Sequence, residues 1–263
     1  MSNSNLVTIT QISPNKNSPR NHAIDRITIH CFVGQVTAKR GCEVFQPTSK
    51  KASCNYVVGY DGSIGLCVEE KDRSWCSSSS ANDNRAVTIE TASETAHPYK
   101  VTDKAYSALL DLVTDICKRN GKTKILWFAD KTKTLAYTPK TNEMVMTVHR
   151  WFANKACPGD YLYNLHGDIA AEVNRRLAGG ASSGGGNYYP RHGKARYGRH
   201  RGHSEALSGA GDNFRSVYQE RPRHQLREEW LHQARCLYHR GRKHRGRCYQ
   251  VGQAEKRCWL DQS

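Results

Sequence analysis

The chain of 263 residues is long enough for one large domain or two small ones. It carries 40 lysine and arginine residues against 24 aspartate and glutamate residues, a formal net charge of +16. Such an excess favours a polyanionic partner: nucleic acid, a membrane surface or an anionic cell wall. No apolar run reaches the roughly 18 residues of a transmembrane helix, and the N-terminus lacks the pattern of a secretory signal. The ten cysteines are scattered through the chain, so we expect mostly reduced thiols rather than a disulfide framework.

A Gly- and Ser-rich stretch at residues 179–186 separates two regions of different composition. Residues 1–178 carry 23 basic and 17 acidic side chains, whereas the remainder carries 17 and 7. That remainder contains no Ile, two Val, five Leu and one Phe, far below the roughly 20% that marks the disordered class. The sequence therefore predicts an N-terminal segment (1–23), a folded domain (24–178), a flexible linker (179–186) and a basic tail of low hydrophobicity (187–263).

The first predicted elements of the folded domain are strands. Residues 24–30 form a β-rich run that ends in His30. Residues 55–60 and 63–68 flank Asp61-Gly62, a sequence typical of a β-hairpin because glycine tolerates the positive φ of a tight turn. Residues 86–90 predict a third strand.

Two amphipathic helices follow. Thr102 is expected to cap a helix that runs to about Asn120, with Gly121 ending it. A second helix is expected to open near Gly159 and to place apolar side chains on one face as far as Leu177. Together these elements predict an α/β fold with a central mixed β-sheet flanked by helices.

Three residues suggest a metal site. His149 and Cys157 lie eight residues apart in a loop before the last helix, and His30 ends the first strand. Two imidazoles and a thiolate make a three-ligand zinc set, which leaves a fourth position for water as in catalytic sites. Each residue also has an ordinary alternative, since strand-end histidines are usually satisfied at a sheet edge and single cysteines are usually just buried.

Four pieces of the sequence occur in a characteristic order. They are His30, the segment 53–64 (SCNYVVGYDGSI), the strand 86–90 (AVTIE), and His149 with residues 155–159 (KACPG). In this order they resemble the zinc-dependent N-acetylmuramoyl-L-alanine amidases, the type-2 amidases that include phage lysins and peptidoglycan recognition proteins. The resemblance covers residues 24–178 and implies the type-2 amidase fold for them.

The resemblance also implies roles for individual residues. His30, His149 and Cys157 would hold zinc, which activates a water molecule and polarises the scissile carbonyl. The bond cleaved would be the amide between N-acetylmuramic acid and the L-alanine of the stem peptide. Tyr56 corresponds to an active-site tyrosine that orients or deprotonates the water; the alternative is an aromatic that packs the hairpin against the sheet.

Three further residues are implied with alternatives of their own. Lys155 corresponds to a lysine that donates to the developing oxyanion, or else is a solvated loop residue. Glu90 is either a general base or a contact at the strand end. Trp75 either lines the peptide groove or is a core aromatic. His22, His97 and His166 are expected at the surface.

The tail has two interpretations. It is either a disordered basic extension that binds an anionic wall by charge, or a frameshifted remnant of a wall-binding domain. Reading residues 252–262 one nucleotide later in each codon allows the string GKLKSGAGWIS, which resembles bacterial Src-homology-three-type wall-binding barrels. The corresponding DNA decides between them.

The function expected from the resemblance is peptidoglycan hydrolysis by a monomeric phage or prophage endolysin. It would be made in the host cytoplasm without a signal peptide and then act on the cell wall. A non-catalytic muropeptide-binding module is the first alternative, although all three zinc ligands are present. A basic nucleic-acid-binding protein is the second, but no recognised nucleic-acid module supports a specific nucleic-acid partner.

Overall fold

The computed structural model describes residues 2–179. Almost all of the predicted linker and the whole tail (187–263) lie outside the described residues. None of the helices in residues 2–179 is both long and apolar enough to cross a membrane.

Residues 2–179 contain nine strands and five α-helices. The strands are Ile9–Thr10 (β1), Lys16–Asn17 (β2), Arg26–Cys31 (β3), Tyr56–Val58 (β4), Ile64–Leu66 (β5), Arg73–Ser74 (β6), Ala86–Thr91 (β7), Lys124–Leu126 (β8) and Glu143–Thr147 (β9). The helices are Ala38–Val44 (α1), Ser80–Arg85 (α2), Asp103–Arg119 (α3), Lys131–Ala136 (α4) and Gly159–Leu177 (α5). Short 3₁₀ turns lie at Thr48–Lys50 and His149–Trp151.

Seven strands form one mixed sheet in the order β1-β5-β4-β7-β3-β9-β8. From β4 to β8 all neighbouring strands are parallel, whereas β5 pairs antiparallel with β4. β2 and β6 form a separate antiparallel pair. The predicted α/β class with a central mixed sheet and flanking helices is therefore confirmed.

Helices α3 and α5 cover one face of the sheet. Their apolar stripes meet Ile27, Ile29 and Ile89 in the main core. Thr102 caps α3 by accepting a hydrogen bond from the amide of Ala105, as predicted. The opposite face is covered at the β4–β5 end by α1, and β3 presents Arg26, Thr28 and His30 on it.

The predicted boundary at residue 24 does not separate two structural units. β1 pairs with β5 at the sheet edge, and β2 pairs with β6. The Arg20 guanidinium is buried and donates to five backbone carbonyls, including those of Glu70 and Asp72. Residues 2–23 are therefore built into the same domain as residues 24–178.

Candidate metal centre

Three side chains meet at the carboxyl end of the parallel strands. One donor atom each from His30, His149 and Cys157 lies within 4.8 Å of the other two. His30 Nδ1 is 3.2 Å from Cys157 Sγ, and the two imidazole rings are 5.1 Å apart between centroids. The structure thus brings together the three residues that the sequence nominates as metal ligands.

The sheet register fixes His30 and a carboxylate beside it. β3 and β7 are parallel with His30 opposite Glu90, so both side chains emerge on the same face. The Glu90 Oε1 atom lies 4.0 Å from His30 Nδ1. His30 is fully buried. Its Nε2 atom and the Oε2 atom of Glu90 have no hydrogen-bond partner among the described residues.

A loop held by Asp83 supports the second histidine. The Asp83 carboxylate, on α2, accepts hydrogen bonds from the amides of Cys76 and Ser77. The next residue, Ser78, places its hydroxyl 2.9 Å from His149 Nε2. Hydrogen bonds of this kind orient an imidazole at a metal site, so the loop fixes the His149 ring.

Arg150 holds the loop that carries the thiol. Its Nη2 atom donates to the carbonyl of Ala156 at 2.7 Å and to the Asp160 carboxylate at 3.0 Å. Its backbone amide donates to the carbonyl of Cys157 at 3.1 Å. The guanidinium also lies 4.7 Å from the centre of the Tyr163 ring. One arginine therefore ties the Cys157 loop to the turn that begins at His149.

The electrostatics favour neutral imidazoles, the form that binds metals. Burial, followed by the influence of His149 and His166, holds the pKa of His30 well below its ordinary value. Burial and the nearby Lys155 ammonium lower the pKa of His149. Burial also raises the pKa of the Cys157 thiol well above its ordinary value in the absence of a cation.

Glu90 belongs to a second group of possible ligands. His30, Cys76 and Glu90 each offer a donor atom within 4.8 Å of the others, and Cys76 Sγ is 3.9 Å from Glu90 Oε1. Burial, with a smaller contribution from Cys31, raises the pKa of Glu90 to about 8. A carboxyl group with such a pKa at a metal cluster is suited to proton transfer.

Lys155 and Trp75 lie near the cluster in different ways. Lys155 is exposed, and its charge acts on His149. Trp75 precedes Cys76; its ring is partly exposed, and its Nε1 donates to Asn17 Oδ1 at 2.6 Å. Their predicted roles in oxyanion stabilisation and substrate binding remain predictions.

Tyr56 does not join the cluster, and the role predicted for it needs correction. β4 pairs with β7 so that Tyr56 is opposite Ile89 and Val57 is opposite Glu90. Side chains alternate along strands, so Tyr56 points to the face covered by α3 and α5. It is fully buried, and its hydroxyl donates to Glu70 Oε1 at 2.6 Å and accepts from the amide of Ser4 at 3.0 Å. The alternative of an aromatic packed against the sheet is the one that the geometry favours.

Four residues that shape the centre were not expected from the sequence. Ser78 and Cys76 lie in a serine-rich stretch that carries no motif, and adjacency to His149 was the signal available for Arg150. His166 was expected at the surface but is fully buried, with its Nδ1 2.6 Å from the carbonyl of Leu162. Its helical spacing from Leu162 was the available signal.

Residues 20–160 match the sequence profile of the N-acetylmuramoyl-L-alanine amidase family. This span is more than half of the chain and contains His30, Glu90, His149 and Cys157. The chain therefore belongs to the N-acetylmuramoyl-L-alanine amidases, which confirms the family that the sequence resembles. Curated proteins gave no match to the sequence.

Several solved structures resemble the fold. The structure of PlyL is 14% identical with a TM-score of 0.44, covering 66% of this chain and 98% of PlyL. The endolysin amidase LysCS of Clostridium intestinale is 15% identical with a TM-score of 0.44, covering 64% of this chain and 95% of its own. The hydrolase AmiA of Staphylococcus aureus is 15% identical with a TM-score of 0.45, covering 66% and 87%.

Proposed function

We propose that the protein is a zinc-dependent peptidoglycan hydrolase of the endolysin type. It would cleave the amide between N-acetylmuramic acid and the L-alanine of the stem peptide. The observation that carries the proposal is the convergence of two imidazoles and a thiol within 4.8 Å at the end of β3. Family membership supplies the substrate class.

The donor set fits zinc. An imidazole nitrogen and a thiolate sulfur on a tetrahedral zinc ion are roughly 3.5 Å apart, given the usual bond lengths. The 3.2 Å contact between His30 Nδ1 and Cys157 Sγ is close to that separation. Zinc held by His30, His149 and Cys157 would polarise the scissile carbonyl and activate a water molecule.

We propose that Glu90 moves the proton. Its Oε2 atom is buried and lacks a hydrogen-bond partner in the described part of the chain, and its Oε1 lies 4.0 Å from a ligand nitrogen. We assign to Glu90 the acceptance of the proton from the attacking water and its transfer to the leaving amide nitrogen. The exposed Lys155, whose charge reaches His149, would donate to the developing oxyanion.

The glycopeptide would bind at the exposed side of the cluster formed by His30, His149 and Cys157. Trp75, partly exposed and one residue from Cys76, would contribute an apolar surface to the peptide groove. The enzyme would act as a monomer on the cell wall after synthesis in the host cytoplasm. Basic charge on the domain would favour approach to an anionic wall.

The proposal is tested with the full-length protein on isolated peptidoglycan. The measurement is the number of alanine amino groups released, with zinc, without zinc, and after zinc is restored. We expect release that requires zinc and that is lost in His149→Ala. Glu90→Gln should retain zinc, measured by elemental analysis, and release alanine about 10²–10⁴-fold more slowly.

A matched control is His22→Ala, since His22 is exposed and its Nδ1 lies 2.6 Å from the carbonyl of the adjacent Ala23. This variant should match the wild type in zinc content and rate. Muropeptide binding without release by zinc-loaded wild type would replace the proposal with the non-catalytic recognition module. Normal rates in Glu90→Gln would remove Glu90 from the mechanism while leaving the zinc assignment intact.

A further inference from the structure

Two buried cysteines outside the metal centre lie unusually close together. Cys42 of α1 and Cys67, which follows β5, have their Sγ atoms 2.7 Å apart, and both residues have no exposed surface. Non-bonded heavy atoms ordinarily keep about 3.5–4.0 Å between them. A disulfide needs about 2.05 Å, so the pair is closer to bonding than to simple contact.

The backbone packing that creates this contact is independent of the sulfur positions. A Cβ atom on Gly41 would lie 2.5 Å from Val57 of β4, and one on Gly65 would lie 3.2 Å from the carbonyl oxygen of Ala38 in α1. Helix α1 therefore packs closely on the β4–β5 hairpin because each of the two elements has a glycine at the contact, Gly41 in α1 and Gly65 in β5. This close approach lets a helical cysteine reach the residue that follows β5.

A small apolar core surrounds the pair. It contains Cys42, Phe45, Cys54, Val57 and Cys67. The thiol of Cys54 also contacts Cys67. The hydrogen bond shared with Cys67, followed by burial, raises the pKa of Cys42, and burial raises that of Cys67. In the folded reduced protein these thiols are therefore protonated and unreactive.

We propose that Cys42 and Cys67 form a site of covalent modification, a disulfide made by exchange with a low-molecular-weight disulfide such as oxidised glutathione. One protein thiolate attacks the glutathione disulfide, which gives a mixed disulfide and releases one glutathione thiol. The second protein thiol then attacks the mixed disulfide at the protein sulfur and releases the other glutathione. Two protein thiols are oxidised, and one glutathione disulfide is reduced to two thiols.

Burial makes this reaction depend on the folding state. Both sulfurs are inaccessible in the folded chain, so exchange takes place before the β4–β5 hairpin and α1 pack together. Once closed, the bond is shielded from reductant by the same packing. It would fasten α1 to the hairpin and reduce the conformational freedom of the unfolded chain.

The test compares refolding of the full-length protein in a glutathione redox buffer and in excess reductant. Free thiols are alkylated, and disulfide-linked peptides are mapped by mass spectrometry without reduction. We expect a Cys42–Cys67 peptide pair after oxidative refolding and a thermal midpoint higher by roughly 5–10 °C than that of the reduced protein. Native reduced protein exposed to the same buffer should form this pair at least tenfold more slowly.

Variants separate this pair from the other thiols. Cys67→Ala should abolish the gain in thermal midpoint on oxidation, whereas Cys117→Ala, which removes a buried thiol of α3, should retain it. A dominant Cys54–Cys67 peptide, no linked peptide in oxidised wild type, or a metal ion bound by these thiols would each overturn the proposal. Mapping on wild-type protein keeps the test valid if a variant fails to fold. Peptidoglycan cleavage is not a readout, so the outcome is independent of the proposed function.

Discussion

Replacing Tyr56 by phenylalanine separates a catalytic role for this residue from a structural one. The hydroxyl donates to the buried Glu70 carboxylate at 2.6 Å and accepts from the amide of Ser4 at 3.0 Å. Hydrogen bonds to charged groups contribute about 1.5–3 kcal/mol. Arg119 pairs with Glu70 at 2.6 Å, and this ion pair should persist in the variant and limit the loss of stability. We therefore expect Tyr56→Phe to lose about 2 kcal/mol of unfolding free energy.

The assay is urea unfolding followed by circular dichroism, beside alanine release from peptidoglycan. With a slope of about 2 kcal/mol per molar urea, the midpoint should fall by about 1 M. Alanine release by the folded variant should stay within about twofold of wild type, because the hydroxyl lies on the face of the sheet away from His30. Tyr60→Phe is the matched control, since Tyr60 is 41% exposed, and its stability should change by less than about 0.5 kcal/mol. A loss of activity of about a hundredfold or more at unchanged stability would refute this reasoning and restore Tyr56 to the active site.

Two further predictions concern the metal loop and the acid stability of α5. A lysine at position 150 cannot make both contacts of the Arg150 guanidinium, to Ala156 and to Asp160, so Arg150→Lys should lower zinc affinity about 10–100-fold in a chelator competition assay. The control Arg40→Lys, at an exposed arginine, should leave zinc affinity unchanged. Hydrogen bonds from Arg175 and Arg176 lower the pKa of Glu172 from 4.5 to about 2. This lowered pKa stabilises the fold at pH values above about 4.5, and that stabilisation is lost as the pH falls from about 4.5 towards 2. In urea unfolding, Glu172→Gln should therefore have a lower free energy of unfolding than the wild type near neutral pH, and the difference should nearly vanish near pH 2. A difference that does not change with pH would contradict this prediction.

The strand that carries His30 and the two long helices could be predicted because local pattern determines them. The run 26–31 alternates between the main core and the polar face, and Thr102 caps α3 through its own side chain. β9 was not predicted, because a short apolar run between polar segments has no periodicity that distinguishes it from other buried structure. Its position between β3 and β8 depends on long-range pairing.

The position of Tyr56 shows that the motif in segment 53–64 does not determine which face of the sheet a side chain occupies. The segment 53–64 locates the hairpin correctly, but the choice between its two faces depends on the register of β4 against β7. A shift of one residue exchanges the faces, and the register places Val57 rather than Tyr56 opposite Glu90. Recognition of the segment therefore predicts the element but not which of its side chains reaches the metal ligands.

The residues of the metal centre are held in two ways, by paired strands and by hydrogen-bonded loops. Mutations in the strands and in the loops should therefore have different effects. His30 and Glu90 are fixed by paired strands, so a change beneath them, as at Tyr56, is expected to reduce stability while leaving zinc affinity intact. His149 and Cys157 follow the last strand in loops held by side-chain hydrogen bonds. Loosening those bonds, as at Arg150, removes little buried apolar surface, so the expected loss is in zinc affinity with little change in the urea midpoint. If the sheet determines stability and the loops determine zinc affinity, Tyr56→Phe should lower only the urea midpoint and Arg150→Lys only the zinc affinity. The same pattern of losses in both variants would contradict this division.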